Sequence, residues 1–212
     1  MSDMEFQPEQ GHGKESGHKQ GQGQDQVQGQ DQDQDQDLGQ EQERQWFESL
    51  LRSAERYLQQ LGLPGLSRLD PTATDGKHRL EDITAFIQVG KALEGGIVLT
   101  IEERLARSIA KLFMLEPITD AQAAQYAVEV IAEAANILTG NALAEREHSD
   151  ICLGNPLMIL TRRAEIRAKS RRLLCQAYEA DEGRFRVIYI PMEHKAELAS
   201  ILAVQLDERT EA

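Results

Sequence analysis

The sequence predicts an α+β domain behind a disordered polar tail, and three observations carry that reading. Apolar residues recur at helical spacing in three separate segments. Runs rich in Ile, Val and Thr follow one another at hairpin spacing, instead of alternating with helices as a doubly wound sheet requires. The chain also opens on a long stretch that is almost free of apolar side chains.

That opening stretch, residues 1–44, holds eleven carboxylates against Lys14, Lys19 and Arg44, a net charge of -8 out of -13 for all 212 residues. From Gly11 to Gln42 it is nearly all Gln, Gly, Asp, Glu, Lys and His, including the alternating run Asp31–Asp37. Such a composition cannot bury enough apolar surface to offset chain entropy, so a solubilising or spacer tail is expected. The domain is expected over 45–209, long enough for a full core without metals or disulfides. The acidic balance argues against a nucleic-acid backbone as partner, which requires clustered Lys and Arg. No apolar run approaches the roughly 20 residues of a membrane span, and no apolar core of a signal peptide is present, so a cytoplasmic protein is expected. Cys152 and Cys175 form no C-x-x-C pair and lie in apolar runs, which predicts reduced core thiols.

The first helix is predicted from about Gln45, where Trp46, Phe47, Leu50, Leu51, Ala54, Leu58 and Leu61 recur every three or four residues. Gly62, Pro64 and Gly65 end it. Asp82 to Thr100, interrupted by Gly90 and Gly95-Gly96, reads as two strands joined by a turn. Thr100 and Glu103 fit a capping box for a second helix carrying Leu105, Ile109, Leu112 and Phe113, closed by Pro117. Asp120 is the expected N-cap of the longest helix, at about 121–145. Ile151–Thr161, Leu173–Glu179 and Arg184–Pro191 read as strands, with Asp181-Glu182-Gly183 as a hairpin turn. Leu198–Leu206 fits either a strand or a short helix.

The longest helix carries the one constellation with chemistry in it. Its apolar stripe runs Ala124, Val128, Ile131, Ala135, Leu138, Ala142. At about 100° per residue, Glu133 and Asn136 project roughly 140 to 200° from Ile131, on the solvent side, in a stripe with Glu129 and Gly140. Ala132, Ala134, Thr139 and Gly140 around them are too small to shield the pair, so a partner surface can approach. By themselves a Glu and an Asn three apart are an ordinary solvent-facing pair.

The surroundings give the pair its weight. Glu133-Ala134-Ala135-Asn136, followed by Ile137-Leu138-Thr139-Gly140-Asn141-Ala142, resembles the Glu-x-x-Asn helix of the CheC/CheX/FliY family of chemotaxis phosphatases, which act on phosphorylated CheY-like receivers. The resemblance extends back through Gly90, Gly95, Gly96 and the helix near Ile101, and forward to Asn155-Pro156-Leu157. Asn136, Asn141 and Asn155 are the only asparagines, and only Asn136 has a Glu three residues before it. One such site per chain resembles CheX, whereas CheC tends to carry two. The chain departs from the family pattern at Glu129, where Asp or Ser is frequent, and in a slightly short stretch between Asn136 and Pro156.

The resemblance implies a CheC-like fold: an antiparallel or mixed sheet with two long helices packed on it, in a homodimer. It further implies that Asn136 positions the attacking water and that Glu133 contacts the receiver's lysine. Both roles suit the residue types. A receiver's aspartyl phosphate brings its own Mg²⁺ and lysine, so hydrolysis mainly lacks a water held in line, and a neutral carboxamide can hold one without competing as a nucleophile. A carboxylate can fix register through a charge-assisted hydrogen bond. No cofactor or metal is expected on this chain, and Mg²⁺ is expected on the receiver. A non-catalytic adaptor binding receivers or a motor complex through the same helix is the alternative, and a dimeric scaffold without a receiver partner is a second one.

The remaining polar features read as structural. His12 and His18 are too few to make a metal site, and His78, His148 and His194 lack ligand spacing and are expected to be exposed. The basic run Arg162, Arg163, Arg167, Lys169, Arg171, Arg172 reads as a solvated connector, with contact to an acidic receiver face as the alternative.

Overall fold

A computed structural model describes residues 25–70, 77–91, 93–145, 150–161, 164–167, 173–191 and 202–204, with side chains for all of these except 25–38 and 202–204. The chain divides into two compact units, Met1–Gly39 and Gln40–Ala212. The elements run α1 (Asp25–Gln60), β1 (Ser67–Arg68), β2 (Lys77–Arg79), β3 (Ile83–Lys91), β4 (Gly95–Ile101), α2 (Glu103–Phe113), α3 (Asp120–Ala144), β5 (Ile151–Leu153), β6 (Leu157–Ile159), β7 (Ala164–Arg167), β8 (Leu174–Ala180), β9 (Gly183–Pro191) and β10 (Leu202–Val204).

Helical backbone extends back to Asp25, well before the predicted start near Gln45, although buried side chains begin only at Trp46. Once a packed segment has nucleated a helix, adding Gln, Glu and Asp residues to its end requires no new nucleus. Residues 1–24 of the expected tail, with His12 and His18, lie outside the described residues.

The predicted hairpin between Asp82 and Thr100 forms the middle of the main sheet. β3 pairs β4 from Ile83↔Ile101 to Val89↔Gly95, and β9 flanks β4 on its other side. The order is β1-β8-β9-β4-β3-β5, with β6 also on β3, and every pair is antiparallel. Side chains alternate across a strand, so β3 sends Ile83, Ala85, Ile87 and Val89 to one face and Phe86 to the other. The first face packs under the helices with Ile97, Leu99, Ile101, Phe185, Val187 and Tyr189. The second packs, with Val98, Ile188 and Ile190, against Leu80, Ala164 and Ile166. Those last residues belong to or adjoin a small sheet, β10-β7-β2. Burial on both faces explains why all seven residues of β4 are buried and why its sequence lacks polar alternation. Gly95 is required by close approach: a Cβ there would lie 2.7 Å from the Ile190 carbonyl oxygen and from the Tyr189 ring.

Several expectations are corrected. Thr100 does not cap α2; it is buried in β4, 2.8 Å from the Thr84 hydroxyl, and its Oγ1 accepts from the Glu81 N–H at 2.7 Å. The α2 N-terminus is served instead by Asp82, whose Oδ2 accepts from the Glu103 N–H at 2.8 Å. For α3 the N-cap is Thr119, one residue before the predicted Asp120, in a reciprocal capping box with Gln122. The single strand predicted at Ile151–Thr161 is two, because Gly154, Asn155 and Pro156 interrupt it and Pro156 has no N–H for the ladder. The segment left open between strand and helix near the C-terminus contains β10, a strand. The connector around Arg162–Arg172 contains β7, with Ala164 and Ile166 buried and Arg167 paired with Glu165. Its remaining basic residues, and His148 and His194, lie outside the described residues. His78 is buried, not exposed, and Cys152 is exposed, not core, because β5 turns its side chain outward. Cys175 is half-buried against the second core.

Candidate functional site

Helix α3 is held on the sheet by a broad face of small and apolar residues: Ala123, Ala127, Val130, Ile131, Ala134, Ala135, Leu138, Thr139 and Ala142 are all buried. The predicted stripe is right at Ile131, Ala135, Leu138 and Ala142, whereas Ala124 and Val128 are only half-buried. Ala134 and Thr139, expected beside the exposed pair, face inward, and the Thr139 hydroxyl donates to the Ala135 carbonyl at 2.7 Å. Being buried, neither side chain stands over the exposed face, which leaves that face lower still.

Glu133 and Asn136 are both exposed, in one stripe with Glu129 and Gly140, also exposed. The pair spans one helical turn, which makes the two side chains neighbours on the helix surface. A Cβ built on Gly140 would meet nothing within 4 Å, so this glycine opens space on the outer face and is not forced by crowding. The structure thus brings together the two residues singled out in the sequence, on a rigid element, pointing to solvent. Among the described residues no group of three or more His, Cys, Asp or Glu side chains is placed to hold a metal ion. No described helix is long and apolar enough to cross a membrane.

Helix α1 buttresses α3 from the side. The Ser53 hydroxyl donates to the Leu138 carbonyl at 2.8 Å in a buried contact. Arg56 and Arg52 reach Glu145, just past the end of α3, at 2.9 and 3.5 Å. Tyr57, one turn beyond Ser53, is buried, and among the described residues its hydroxyl has no hydrogen-bond partner. Burial, together with the negative charge of Glu133, pushes the Tyr57 hydroxyl above its ordinary range, so it remains a neutral donor. Tyr57 is not among the stripe residues read from the sequence between Trp46 and Leu61; its offset of four from Ser53 was the available signal.

Residues 83–179, which include Glu133 and Asn136, match the family model of the chemotaxis phosphatase CheX. The fold of the domain is CheX-like. Solved structures agree on the fold. A chemotactic CheC-like protein from Shewanella oneidensis superposes with a TM-score of 0.57 at 16% identity, covering 69% of this chain and 97% of that one. CheX from Vibrio vulnificus gives 0.54 at 21% identity, covering 68% and 95%. The Borrelia burgdorferi chain from a CheX–CheY–BeF3–Mg²⁺ complex gives 0.53 at 15% identity, covering 70% and 98%. No match was found among curated protein sequences. Against that CheX-like frame, the implied arrangement of two long helices on an antiparallel sheet is met by α1 and α3, with the shorter α2 packed against α3.

Proposed function

We propose that this CheX-like domain is a phosphatase that hydrolyses the aspartyl phosphate of a CheY-like receiver, using Asn136 to position water and Glu133 to engage the receiver's lysine. The observation that carries the reading is the exposed Glu133–Asn136 pair on a packed α3, inside the segment that matches the CheX model. The occurrence of a similar fold in a complex of CheX with CheY supports a receiver as partner. The receiver supplies Mg²⁺ and neutralises the phosphoryl oxygens, so this chain needs only to present its two side chains in register. The Asn136 carboxamide accepts from and donates to the attacking water, which holds it in line with the scissile bond. The Glu133 carboxylate pairs with the receiver's ammonium and is desolvated as the surfaces meet, which strengthens the contact. The protein acts in the cytoplasm, where receivers are found, as a homodimer.

The test mixes substoichiometric protein with CheY-like receivers of the source organism, phosphorylated with acetyl phosphate in the presence of Mg²⁺. Each wild-type molecule should clear many phosphates, and Glu133→Ala should raise the receiver concentration needed for half-maximal rate. Phosphorylation-dependent binding without turnover would assign the helix to an adaptor, and no binding would assign the domain to a scaffold.

A further inference from the structure

The Tyr57 hydroxyl is a buried polar group that the fold leaves unused. A buried phenol usually finds a hydrogen-bond partner, and this one has none among the described residues. Its neighbours on the α1 face are otherwise engaged: Ser53 with the Leu138 carbonyl, and Arg52 and Arg56 with Glu145. The Ser53 contact fixes where α1 crosses α3, one turn along α1 from Tyr57 and a little more than one turn along α3 from Glu133. On α3 it is the carboxylate of Glu133 whose charge reaches the hydroxyl. Glu133 itself is exposed, so in the free protein water satisfies it.

We infer that Tyr57 is a positioning residue for Glu133, its hydroxyl donating to the Glu133 carboxylate when a receiver covers α3 and displaces the water. The inference rests on the receiver phosphatase reading above and adds a residue to it from a different helix. One carboxylate oxygen accepts from Tyr57, and the other is thereby aimed outward at the receiver's ammonium. The donor is neutral and buried, so it orients the carboxylate without competing for the receiver. The geometry also gives α1 a part in recognition that its own exposed residues do not explain.

The experiment compares wild type, Tyr57→Phe, Glu133→Ala, the double variant and Asn136→Ala, all as full chains, on acetyl-phosphate-treated CheY-like receivers of the source organism. Tyr57→Phe should raise KM roughly tenfold, the scale of a lost hydrogen bond to a charged group, with kcat nearly unchanged. In the Glu133→Ala background the same substitution should change nothing. The melting temperature of Tyr57→Phe should match wild type, since the hydroxyl removed has no partner among the described residues. An unchanged KM, or an equal loss in both backgrounds, would overturn the positioning role while Asn136→Ala still reports on the phosphatase. Failure of wild type to accelerate dephosphorylation of any receiver would instead overturn the phosphatase reading, and this inference with it.

Discussion

At the scale of single residues, Glu133 and Asn136 are exposed on α3, and His78 is their opposite. His78 sits on β2, buried, and both that burial and the positive charge of Arg186 lower its pKa. An imidazole free in the unfolded chain protonates near about 6.5. The folded value lies below this, so stability is complete above that pH. It is lost as pH falls from there through the folded value, because the unfolded chain takes up a proton that the folded one refuses. Urea unfolding at pH 8 and pH 5.5 should show the loss in wild type and a smaller one in His78→Leu. The sequence could not show this burial, since it depends on β2 pairing with β7 far along the chain.

At the scale of elements, α3 is where sequence and structure agree best, for a physical reason. A long helix packed on one side writes its environment at a period of 3.6, so Ile131, Ala135 and Leu138 identify the inner face and Glu133 and Asn136 the outer. The phase blurs at Ala124, Ala134 and Thr139, where small side chains are tolerated on either face. Capping was less legible: Thr119 and Asp120 are both good N-caps, and Thr100 was claimed by tertiary bonds to Thr84 and Glu81. β1, β2 and β7, of two to four residues, are too short for any periodicity and exist because partner strands receive them. Gly140 offers a test at this scale. It lies within α3 with open space outside it, so Gly140→Ala should stabilise the domain by about 0.5–1 kcal/mol through helix propensity. On the proposed phosphatase reading the added methyl would stand on the face that a receiver covers, so turnover efficiency should fall severalfold. A more stable variant with undiminished turnover would place the receiver away from Gly140.

At the scale of the whole domain, the sheet's two buried faces explain the division of labour. One face carries the helices and fixes α3 against β3, while the other is closed by the small sheet through Leu80, Ala164 and Ile166. The outer surface of α3 is thereby relieved of any packing duty and left to Glu133, Asn136 and Gly140. The α+β class and the helix bearing the pair were legible because both follow from local apolar patterning. The crossing of α1 over α3, which brings Tyr57 within reach of the Glu133 charge, was not, because it depends on contacts such as Ser53–Leu138 between residues far apart in the chain. The measurement that bears most directly on the central claim is single-turnover phosphate release from a phosphorylated receiver saturated with wild type or with Asn136→Ala. A fall of about 10²–10³-fold with binding retained is the predicted result, the scale of losing one positioned hydrogen-bonding group. Release at the wild-type rate by the bound Asn136→Ala variant would contradict it.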